Sequence, residues 1–586
     1  MDKSSLATIQ SLRKLWAYLS ARRKRQIRIL ILFMLLSAMA ELTSVGSVIP
    51  LLTVVTSPEK IWNIEFLQAT YKFMGFRSPS DLLLPITLIF GLTCLLSASI
   101  KAMNTWLSCK IAAFIGSDLS YACYKNTLLQ SYERHIERNT SSIVSSLINQ
   151  LDITVKSINT ALTLVTGSII SFFLIVTLIS LNWLVATVAM TVLGSIYLLI
   201  AFFTKKKLSI NSKLITLSDK GRIQSLQEGL GAIREVILGR TQTIYLKKYL
   251  ESDKPIRQFI AQNRFIAIFP RYAIEAVALI LMSIFAYFLA RGNSNNQSLI
   301  PLLGSIVLCS QRLLPSLQSV YTSWASLRGF GNSILEVMKI LDQPIEETLE
   351  TNVSKIKTKF ETLNLKSVSF SYQNDARKTL SDISLDINKG ELIGIVGTTG
   401  SGKSTLMDIL MGLLKPNEGK IFLNGKSLYQ KENKALLNEW KKCISHVPQN
   451  IFLSDSSILE NIAFGVPPED IDIERVKRSA EKAQLSTFIE NCTDGILTVV
   501  GERGIKLSGG QRQRIGIARA LYKKSQVVFL DEATSALDIN TEKELMKQLN
   551  QMTEDLTIII IAHRLTTLKN CGVVLRVENG RLLVNE

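Results

Sequence analysis

Hydrophobic residues are concentrated before residue 326, where long apolar runs alternate with polar and charged segments. An α-helix needs about 20 mainly apolar residues to cross a bilayer, so such runs predict membrane-spanning helices. About six spans are expected on this criterion, at Ile27–Val55, Leu82–Leu107, Ile158–Leu181, Trp183–Phe203, Ala267–Ala290 and Leu299–Ala325. The preceding residues 1–26 are polar and basic, which favours a helix on the cytoplasmic surface of the membrane.

Two connections between these spans are long and charged and lack clusters of proline and glycine, at Asn104–Ser157 and Thr204–Arg264. They predict helical stalks that continue the membrane helices into the cytoplasm. Each stalk must reverse direction at its far end, and we expect coupling helices there, near residues 132–139 and 226–239. A solvated helical hairpin is the alternative interpretation of both segments.

Short apolar runs alternate with amphipathic segments from residue 356 onwards, a pattern typical of a soluble α/β domain. Pro344 and the acidic stretch Glu346–Glu350 mark a linker before it. We therefore predict a transmembrane domain at 1–343, a linker at 344–355 and an α/β domain at 356–586. The expected fold class is a membrane α-helical domain fused to an α/β domain.

The composition agrees with a membrane protein, because 47% of the 586 residues are hydrophobic and the mean hydropathy is +0.23. The net charge of +19 does not indicate nucleic-acid binding, since basic clusters such as Arg22–Arg25 and Lys205–Lys207 flank the apolar runs, as the positive-inside rule expects. We expect a multi-pass protein of the cell's inner (plasma) membrane, with its N-terminus and its α/β domain in the cytoplasm. Ala38–Ala40 imitates a signal-peptide cleavage site, but hydrophobicity continues to Val55, so we expect an uncleaved first span. Seven scattered cysteines and three histidines indicate neither a disulfide framework nor a metal cluster.

A glycine-rich turn follows the apolar run Leu392–Val396 and precedes a helix start. It matches G-x-x-x-x-G-K-[ST], which in a strand–turn–helix context is a P-loop, with Gly397, Thr398, Thr399, Gly400, Ser401, Gly402, Lys403 and Ser404, followed by Thr405. Its glycines allow backbone N–H groups to close on phosphate oxygens at a helix N-terminus. We expect Lys403 to contact the β- and γ-phosphates of ATP and Ser404 to bind Mg²⁺. ATP and Mg²⁺ are therefore the predicted cofactors.

Two further stretches predict how this nucleotide is used. The apolar strand Val527–Leu530 ends in Asp531, a candidate Mg²⁺ ligand, and Glu532, a candidate general base for the attacking water. Leu507-Ser508-Gly509-Gly510-Gln511 has the spacing of a capping box and makes a second anion site at a helix start. One nucleotide on one chain has little use for a second phosphate-binding turn. We therefore expect this turn to cap the γ-phosphate of ATP that is bound to a partner's P-loop.

Together these motifs resemble the nucleotide-binding domain of ATP-binding-cassette (ABC) proteins, over the whole of 356–586. The resemblance implies that Tyr372 stacks on adenine, that Gln449 touches Mg²⁺ and senses the membrane domain, and that Asp538 belongs to the D-loop. It also implies that His563 is the switch histidine on the γ-phosphate. The implied catalytic residues are Lys403, Glu532, His563 and Gln449, and the implied metal ligands are Ser404, Gln449 and Asp531. No motif residue is degenerate, so we expect ATP hydrolysis.

Six spans in front of one such domain resemble the half-transporter exporters of the type IV fold, which include MsbA-like lipid exporters. This order argues against an importer, and the membrane half argues against the soluble ABC ATPases of DNA repair and ribosomes. Two ATP molecules would lie between Lys403 of one domain and Ser508 of the other. The resemblance therefore implies a dimer, in the simplest case a homodimer.

Ionisable residues inside the predicted spans are the best indication of the cargo, since each costs about 2.5–3.5 kcal/mol at mid-bilayer on insertion scales. They are Glu41, Lys101, Arg271, Glu275 and Arg312. At that cost we expect them to face a cavity or each other, although Arg271 and Glu275, four residues apart, can simply pair. Lys101, Arg271 and Arg312 suit a positive cavity for a phosphate or pyrophosphate head group.

Two segments of the membrane half, Glu41–Pro50 and Gln311–Ser316, also resemble the PglK-type flippases of lipid-linked oligosaccharides. This resemblance implies ATP-driven movement of a polyprenyl-pyrophosphate glycan or another glycolipid, with membrane lipids and an anionic amphipathic cargo as partners. An exporter of drugs or peptides on the same scaffold is the alternative, and a non-pumping ATP-gated channel or regulator is a third hypothesis. The basic residues in the spans count against a drug exporter, and the intact Glu532 and His563 count against a channel.

Overall fold

The computed structural model describes residues 13–64, 76–181, 183–292, 299–345, 358–372, 378–430, 433–551, 556–562, 569 and 571–585. The chain divides into two compact units. The first contains Met1–Gln130 and Arg134–Thr348, and the second contains Ser131–Glu133 and Leu349–Glu586. The described part of the first unit is helical, and the second unit combines helices with two β-sheets.

Helices make up the first part of the chain. They are α1 (Ala21–Gly46), α2 (Val48–Thr56), α3 (Pro58–Trp62), a 3₁₀ turn (Pro79–Leu82), α4 (Leu83–Leu128), α5 (Tyr132–Glu137), α6 (Thr140–Ser145), a π-helical turn (Ser146–Gln150), α7 (Leu151–Leu181), α8 (Trp183–Gly231), α9 (Ile233–Leu238), α10 (Gln242–Ile268), α11 (Pro270–Gly292) and α12 (Leu299–Leu341). Residues 13–18 are also helical.

Five stretches of the described residues are long and apolar enough to cross a membrane, namely Ala21–Thr56, Pro79–Leu128, Thr140–Ser180, Ala186–Gly231 and Gln242–Tyr287. They contain the first five spans predicted from the hydrophobic pattern, apart from the ends of three of them. The sixth predicted span, at 299–325, lies within the long helix α12 but is not among these five. The expected helical membrane domain is therefore confirmed as a set of several apolar helices.

The membrane helices continue without a break into the predicted stalks. Helix α8 has 49 residues, which corresponds to about 73 Å at the rise of an α-helix. A bilayer core is only about 30 Å thick, so more than half of this helix must extend beyond it. Helix α4, with 46 residues, has the same character. Both predicted stalks are thus continuous helices over most of their length.

Short helices occupy both reversals at the ends of the stalks. Helix α5 lies within the predicted segment 132–139, and α9 lies within 226–239. Both have six residues, and α9 is followed by Arg240, which adopts a left-handed φ of +50°. The reversals are therefore compact turns of the helical chain, and their role as coupling helices stays a prediction.

A buried polar cluster joins three segments of the stalks around the Asp219 carboxylate, whose side chain is 6% exposed. Ser145 donates to it at 2.8 Å, Asn149 at 3.0 Å and Gln150 at 3.1 Å, and the Arg222 guanidinium lies at 2.7 Å. The π-helical turn Ser146–Gln150 carries two of these donors. Because a π-turn inserts an extra residue per turn, it rotates the side chains towards α8.

The second unit is built from ten strands and their connecting helices among the described residues. The strands are β1 (Thr362–Phe370), β2 (Leu380–Asn388), β3 (Leu392–Val396), β4 (Glu418–Leu423), β5 (Lys426–Ser427), β6 (Ile444–Val447), β7 (Val527–Asp531), β8 (Thr557–Ile561), β9 (Val573–Glu578) and β10 (Arg581–Asn585). The α-helices are α13 (Lys403–Leu410), α14 (Lys434–Cys443), α15 (Ile458–Ile462), α16 (Ile473–Lys482), α17 (Ser486–Glu490), α18 (Gly509–Tyr522) and α19 (Ile539–Gln551). Short 3₁₀ turns lie at Pro468–Asp470, Gly495–Leu497 and Glu502–Gly504.

The two sheets differ in strand direction. The four-stranded sheet has the order β2-β1-β4-β5 and is antiparallel. The six-stranded sheet has the order β10-β9-β3-β8-β7-β6, and all its neighbours are parallel except β10, which is antiparallel to β9. Strands β7 and β8 are almost fully buried and apolar, as parallel strands covered on both faces must be. The predicted α/β fold of the second unit is confirmed, while the bounds 356–586 stay a prediction.

Parallel strands bring their carboxyl ends to one edge of the sheet. Strand β3 ends at Val396 before the glycine-rich turn. Strand β8, which pairs with β3, ends at Ile561, and β7, on the other side of β8, ends at Asp531. Ligands in open α/β sheets bind outside this edge. The predicted phosphate loop and the predicted acidic pair are therefore placed at the same edge by topology alone.

Replacing Asp219 with alanine tests the buried cluster. The change removes the acceptor shared by four side chains and leaves their donors without a partner. We therefore expect the free energy of unfolding to fall by about 3 kcal/mol, at the low end of what breaking a buried charge pair costs. The measurement is the thermal unfolding midpoint of the purified full-length protein, which should fall by several degrees. Lys213→Ala, at an exposed position of the same helix, is the control. Equal midpoints for the two variants would contradict a stabilising role for the cluster.

Candidate functional sites

The phosphate loop lies between the end of β3 and the start of α13 at Lys403. Gly397 has a φ of +155° and Gly402 a φ of +104°. A Cβ on Gly397 would lie 2.3 Å from the Val577 carbonyl oxygen, and one on Gly402 would lie 3.0 Å from the Thr379 oxygen. Only glycine fits both positions, because a side chain would clash with backbone atoms there. Thr398, Thr399 and Gly400 form the exposed rim of the loop.

The Lys403 ammonium is held inside this loop. It donates to the carbonyl oxygens of Gly397 at 2.8 Å and Thr398 at 2.9 Å, and the residue is only 8% exposed. The Ser401 hydroxyl is buried and has no hydrogen-bond partner among the described residues. A buried cation beside an orphaned hydroxyl and a helix N-terminus fits a phosphate group. The residues present are therefore those that a nucleotide phosphate requires.

Tyr372 is positioned by the first turn of α13. Its hydroxyl lies 3.2 Å from the Thr405 hydroxyl, and its ring packs edge-on against Phe370 at 5.0 Å between centroids. The ring is half-buried, so part of it faces outward beside the loop. Ser404 is exposed at the helix start, where a metal ligand would be required. Both predicted positions are thus next to the phosphate loop.

Glu532 follows β7 and adopts a left-handed φ of +49°, which is unusual for a non-glycine residue. Its amide donates to Ile561 O at 3.1 Å, and its carbonyl accepts from Ser535 N at 3.1 Å and from Gln513 Nε2 at 3.3 Å. Its carboxylate accepts from Gln449 Nε2 at 2.7 Å. The structure therefore brings together Gln449 and Glu532, two of the predicted catalytic residues, on a backbone that is fixed by several bonds.

Gln513 was not identified from the sequence, although it lies two residues after the glycine-rich Ser508–Gln511 turn. Its buried amide joins Glu532 O to the Ser535 hydroxyl at 3.1 Å and accepts from Ala536 N at 2.9 Å. It is thus a positioning residue for the segment after β7. Only its position shortly after the glycine-rich turn could have pointed to this role, because its hydrogen-bond partners lie 19 to 23 residues further along the chain.

Asp531 and Asp408 form an acidic pair at the sheet edge. Burial, together with the nearby Asp531 carboxylate, raises the pKa of Asp408 on α13 to about 6. Two carboxylates close together disfavour ionisation of both, and a divalent cation would relieve that repulsion. The environment of Asp531 is therefore suitable for Mg²⁺. Asp408 is a second residue that the sequence motifs did not point to.

The turn at Ser508 forms the capping box that its spacing predicts. Ser508 N donates to Gln511 Oε1 at 2.8 Å, and Gln511 N donates to Ser508 Oγ at 3.2 Å. A Cβ on Gly509 would lie 3.2 Å from the Ala536 Cβ, and one on Gly510 would lie 3.2 Å from the Ala536 oxygen. The turn is thus packed tightly on the segment that leads to Asp538, and its two glycines are half-buried.

Asp538 and His563 are the other two predicted residues of the ATP site. Asp538 accepts from Thr541 N at 2.9 Å at the start of α19, and this hydrogen bonding lowers its pKa. His563 lies outside the described residues. In the described residues, the bonds of Ser508 and Gln511 connect them with each other and not with the phosphate loop.

A charged cluster lies among the membrane helices. The Glu41 carboxylate on α1 is 4% exposed and accepts from Arg312 NH1 on α12 at 3.0 Å and from the Ser97 hydroxyl on α4 at 3.1 Å. Lys101 Nζ, also on α4, lies 3.7 Å from the same carboxylate. Arg312 and Lys101 remain about half exposed, at 49% and 51%. The prediction that ionisable residues in the spans face each other is correct for these three.

Arg271 and Glu275 lie elsewhere, so the five candidate cargo residues fall into two groups. The Arg271 Nε and Glu275 Oε2 atoms are 3.8 Å apart, and both side chains are more than half exposed. They line a polar pocket of about 320 Å³ together with Tyr197, Gln311 and Gln318. The local pairing that their spacing suggested is thus present, and Arg271 is separate from the Glu41 cluster.

An apolar cavity of about 840 Å³ adjoins this polar pocket. It is lined by side chains from α7, α8, α11 and α12, including Leu178, Val188, Phe285 and Ile306. The cavity and the polar pocket have five lining residues in common, which are Ala278, Leu279, Met282, Val307 and Leu314. The first unit therefore contains one amphipathic space, with a large apolar part and a smaller polar part that carries Arg271 and Glu275.

Comparison with known families identifies both halves of the chain. The model described as "ABC transporter transmembrane region" matches residues 23–314, and the model described as "ABC transporter" matches residues 380–535. The second match begins at β2 and ends beyond Glu532, so it contains the phosphate loop and the Ser508 turn. The two matches agree with the two units of the fold.

Several curated proteins resemble most of the chain. It is 28% identical to an "ATP-dependent lipid A-core flippase" from Ralstonia nicotianae, over 78% of this chain and 76% of that protein. It is 26% identical to the "Putative multidrug export ATP-binding/permease protein YgaD" from Bacillus subtilis, over 85% of both chains. It is 34% identical to the "Alpha-hemolysin translocation ATP-binding protein HlyB" from Escherichia coli O157:H7, over 56% of this chain and 46% of that one.

The fold also matches a solved structure over nearly its full length. The structure of a bacterial Atm1-family ABC exporter with ATP bound aligns with a TM-score of 0.76 at 22% identity, covering 95% of this chain and 94% of that one. At this identity the likeness concerns the fold. Taken with both family matches, the phosphate loop and the apolar helices, it shows that this chain belongs to the ABC transporters, as an ATP-hydrolysing half-transporter of the exporter type.

Proposed function

We propose that this ABC exporter is a homodimeric flippase that uses ATP to move an anionic glycolipid or lipid-linked oligosaccharide across the inner membrane. The amphipathic space in the first unit carries the proposal. Its apolar part of about 840 Å³ suits acyl or prenyl chains, and the adjoining polar pocket suits a head group. The relatives named lipid A-core flippases support a lipid as the cargo.

In the proposed ATP site, Lys403 neutralises the β- and γ-phosphates, and Tyr372 stacks on the adenine. Ser404, Gln449 and Asp531 hold Mg²⁺, which supplies charge neutralisation for phosphoryl transfer when it is bound. Glu532 accepts the proton of the attacking water, and the 2.7 Å bond from Gln449 orients its carboxylate. His563 contacts the γ-phosphate.

The second phosphate-binding turn supports a dimer as the working unit. Ser508, Gly509 and Gly510 form the N-terminus of α18, and such an end binds anions. In the proposed homodimer this turn closes over the γ-phosphate held by Lys403 of the other chain, and Asp538 lies beside the same interface. ATP binding therefore draws the two domains together, and hydrolysis releases them.

In the membrane, the N-terminus and the ATPase domain are proposed to face the cytoplasm, where ATP is available. Helices α5 and α9 are proposed to be the coupling helices, because they occupy the only reversals of the described stalks on that side. The domain limits of 1–343, 344–355 and 356–586 are retained as part of this proposal. Closure of the ATPase domains would then act on the continuous stalk helices.

The Glu41 cluster is proposed as a second polar contact for an anionic head group. Lys101 and Arg312 share one buried carboxylate and are half exposed, so the cluster carries a net positive charge. A phosphate or pyrophosphate oxygen can accept from the guanidinium N–H groups that Glu41 does not use. Cargo that competes with Glu41 for Arg312 would loosen the contact between α1 and α12.

Export of a drug or peptide is the second candidate function. The large apolar cavity also suits an uncharged hydrophobic molecule, and the relatives include proteins named for multidrug export and hemolysin translocation. Arg271, Lys101 and Arg312 favour anionic cargo over the cationic molecules that many drug exporters carry. A non-pumping channel is disfavoured by the Glu532 carboxylate and its intact hydrogen bond with Gln449.

Replacing Glu532 with glutamine tests the proposed general base. ATP hydrolysis should fall by about 10² or more, because positioned general bases contribute about 10²–10⁴-fold. ATP should remain bound and hold the dimer closed, which retention of radiolabelled ATP on the purified protein measures. Glu544→Gln, at an exposed position on α19, is the control. Normal steady-state hydrolysis by the Glu532 variant would refute the assignment.

Replacing Arg312 with alanine tests the anionic head group. Transport of a fluorescent polyprenyl-pyrophosphate glycan per ATP hydrolysed should fall about tenfold in proteoliposomes, because a hydrogen bond to a charged group contributes about 1.5–3 kcal/mol. Arg312→Lys keeps the charge and should retain most of the transport. Cationic drug transport, measured in parallel, should not be reduced. An unaltered glycan flipping rate in the alanine variant would remove Arg312 from the cargo path.

Filling the amphipathic space tests its role directly. Leu279 lines both parts of the space, while its neighbour Ile280 lines neither, and the two are similarly exposed at 60% and 59%. Leu279→Trp should reduce lipid flipping several-fold because the larger side chain takes up room needed by the cargo, and Ile280→Trp should leave it near normal. The readout is ATP-dependent movement of the labelled lipid in proteoliposomes. Equal transport by the two variants would show that the space does not hold cargo.

A further inference from the structure

A small basic pocket lies on the ATPase domain between α16 and the end of α18. Its volume is about 250 Å³. Four cationic side chains line it, Arg475, Arg478 and Lys482 from α16 and Lys524 from the turn after α18. No carboxylate lines the pocket among the residues that the structure describes. A concave site lined by four positive charges attracts an anion.

Three cationic residues of α16 lie on one face of the helix because of their spacing. Arg475, Arg478 and Lys482 are three and four residues apart, so they project from the same side of α16. Lys477 lies on another face and pairs with Glu474 at 2.8 Å. Glu474 is therefore paired with Lys477, and the three pocket cations of α16 have no ion pair within the described part of the chain.

Two buried polar atoms at the pocket have no hydrogen-bond partner among the residues that the structure describes. They are the Ser525 hydroxyl and the Arg475 Nε. Ser525 is 8% exposed and lines the pocket. An unpaired buried hydroxyl costs free energy, so in a native structure it calls for a ligand or another explanation. Both orphaned atoms are at the same pocket.

Contacts with Tyr522 position Arg475 at the pocket. The Arg475 guanidinium donates to the Tyr522 carbonyl and lies over the Tyr522 ring at 4.2 Å. Lys524 adopts a left-handed φ of +55°, a conformation that non-glycine residues seldom adopt. Lys524 directly follows the C-cap of α18, where a left-handed residue is a common way to end a helix. Arg475 is thus held by Tyr522, whereas Arg478, Lys482 and Lys524 are exposed side chains that line the pocket.

We propose that this pocket binds a phosphate group, separately from the ATP site. The volume lies below the range of about 300–1,000 Å³ that is usual for drug-sized ligands, so a compact anion fits it best. Guanidinium groups bind phosphate through paired hydrogen bonds, and the Ser525 hydroxyl can donate to a phosphate oxygen. A doubly charged phosphate matches four cations better than a carboxylate does. Inorganic phosphate, a product of ATP hydrolysis, is the simplest ligand of this class.

The test measures binding of radiolabelled inorganic phosphate by the full-length protein in nanodiscs of zwitterionic lipid. Saturating AMP-PNP with Mg²⁺ occupies the ATP site and excludes it from the measurement. We expect saturable binding with one phosphate per chain. Lys482→Ala should weaken it about tenfold or more, since charge-assisted hydrogen bonds are the strong ones. Lys477→Ala, the same change on another face of α16, should alter the affinity less than about twofold.

Ser525→Ala separates a binding site from a merely structural serine. Loss of an unpartnered buried hydroxyl should not lower the thermal unfolding midpoint, but it should weaken phosphate binding about fivefold or more. Glycerol 3-phosphate in solution and phosphatidic acid in the nanodisc are tested in parallel. Competition by the first supports a soluble ligand, and competition by the second alone supports a lipid head group. Failure of all three probes to bind saturably, or equal binding by wild type, Lys482→Ala and Ser525→Ala, would overturn the proposal.

Discussion

The rest of the molecule depends on how the phosphate loop holds the Lys403 ammonium. Two backbone carbonyls of its own loop, from Gly397 and Thr398, hold it, and the glycines permit that approach because no side chain fits. The parallel sheet brings the ends of β7 and β8 to the same edge, with the constrained Glu532 and its Gln449 partner. Side chains and backbone groups from several elements can therefore contact a phosphate bound at this edge of the sheet. The long helices of the membrane unit have a function only if that event is transmitted to them.

Much of this arrangement could be predicted because its determinants are local in sequence. The phosphate loop, the capping box at Ser508 and the apolar strand before Asp531 each occupy a few consecutive residues, and the structure contains all three. The membrane helices were equally accessible, since about 20 apolar residues suffice to indicate a span. Their continuation into long helical stalks was also correct, because the connecting segments are charged and lack clusters of proline and glycine.

Contacts between distant residues could not be predicted in the same way. Arg312 lacks a partner within one helical turn, and its carboxylate partner Glu41 lies 271 residues away. The Asp219 cluster depends on a π-helical turn that no residue pattern indicates. Gln513 and Asp408 contribute to the ATP site through tertiary packing alone. The sequence pattern thus identifies which groups carry chemistry, and packing decides which of them meet.

The membrane unit reflects a related constraint on charge. Ionisable groups in the spans are tolerated where they pair, as at Glu41, or where they border a polar pocket, as at Arg271. The adjoining apolar cavity then gives the unit one space with two kinds of surface. Such a space matches an amphipathic lipid better than a uniformly polar or uniformly apolar molecule. The two units thereby supply the membrane part and the ATPase part of an ABC exporter.

The central claim is that each ATP is bound by Lys403 of one chain and Ser508 of the other. Mixed dimers of a Lys403→Ala chain and a Ser508→Arg chain test it most directly, with ATP hydrolysis as the measurement. Each variant alone should be inactive, because both of its sites lack one half. After the chains are mixed, random pairing makes half of the dimers mixed, each with one intact site of two, so activity should recover to roughly a quarter of wild type. A mixture that stays as inactive as its separate components would contradict the account.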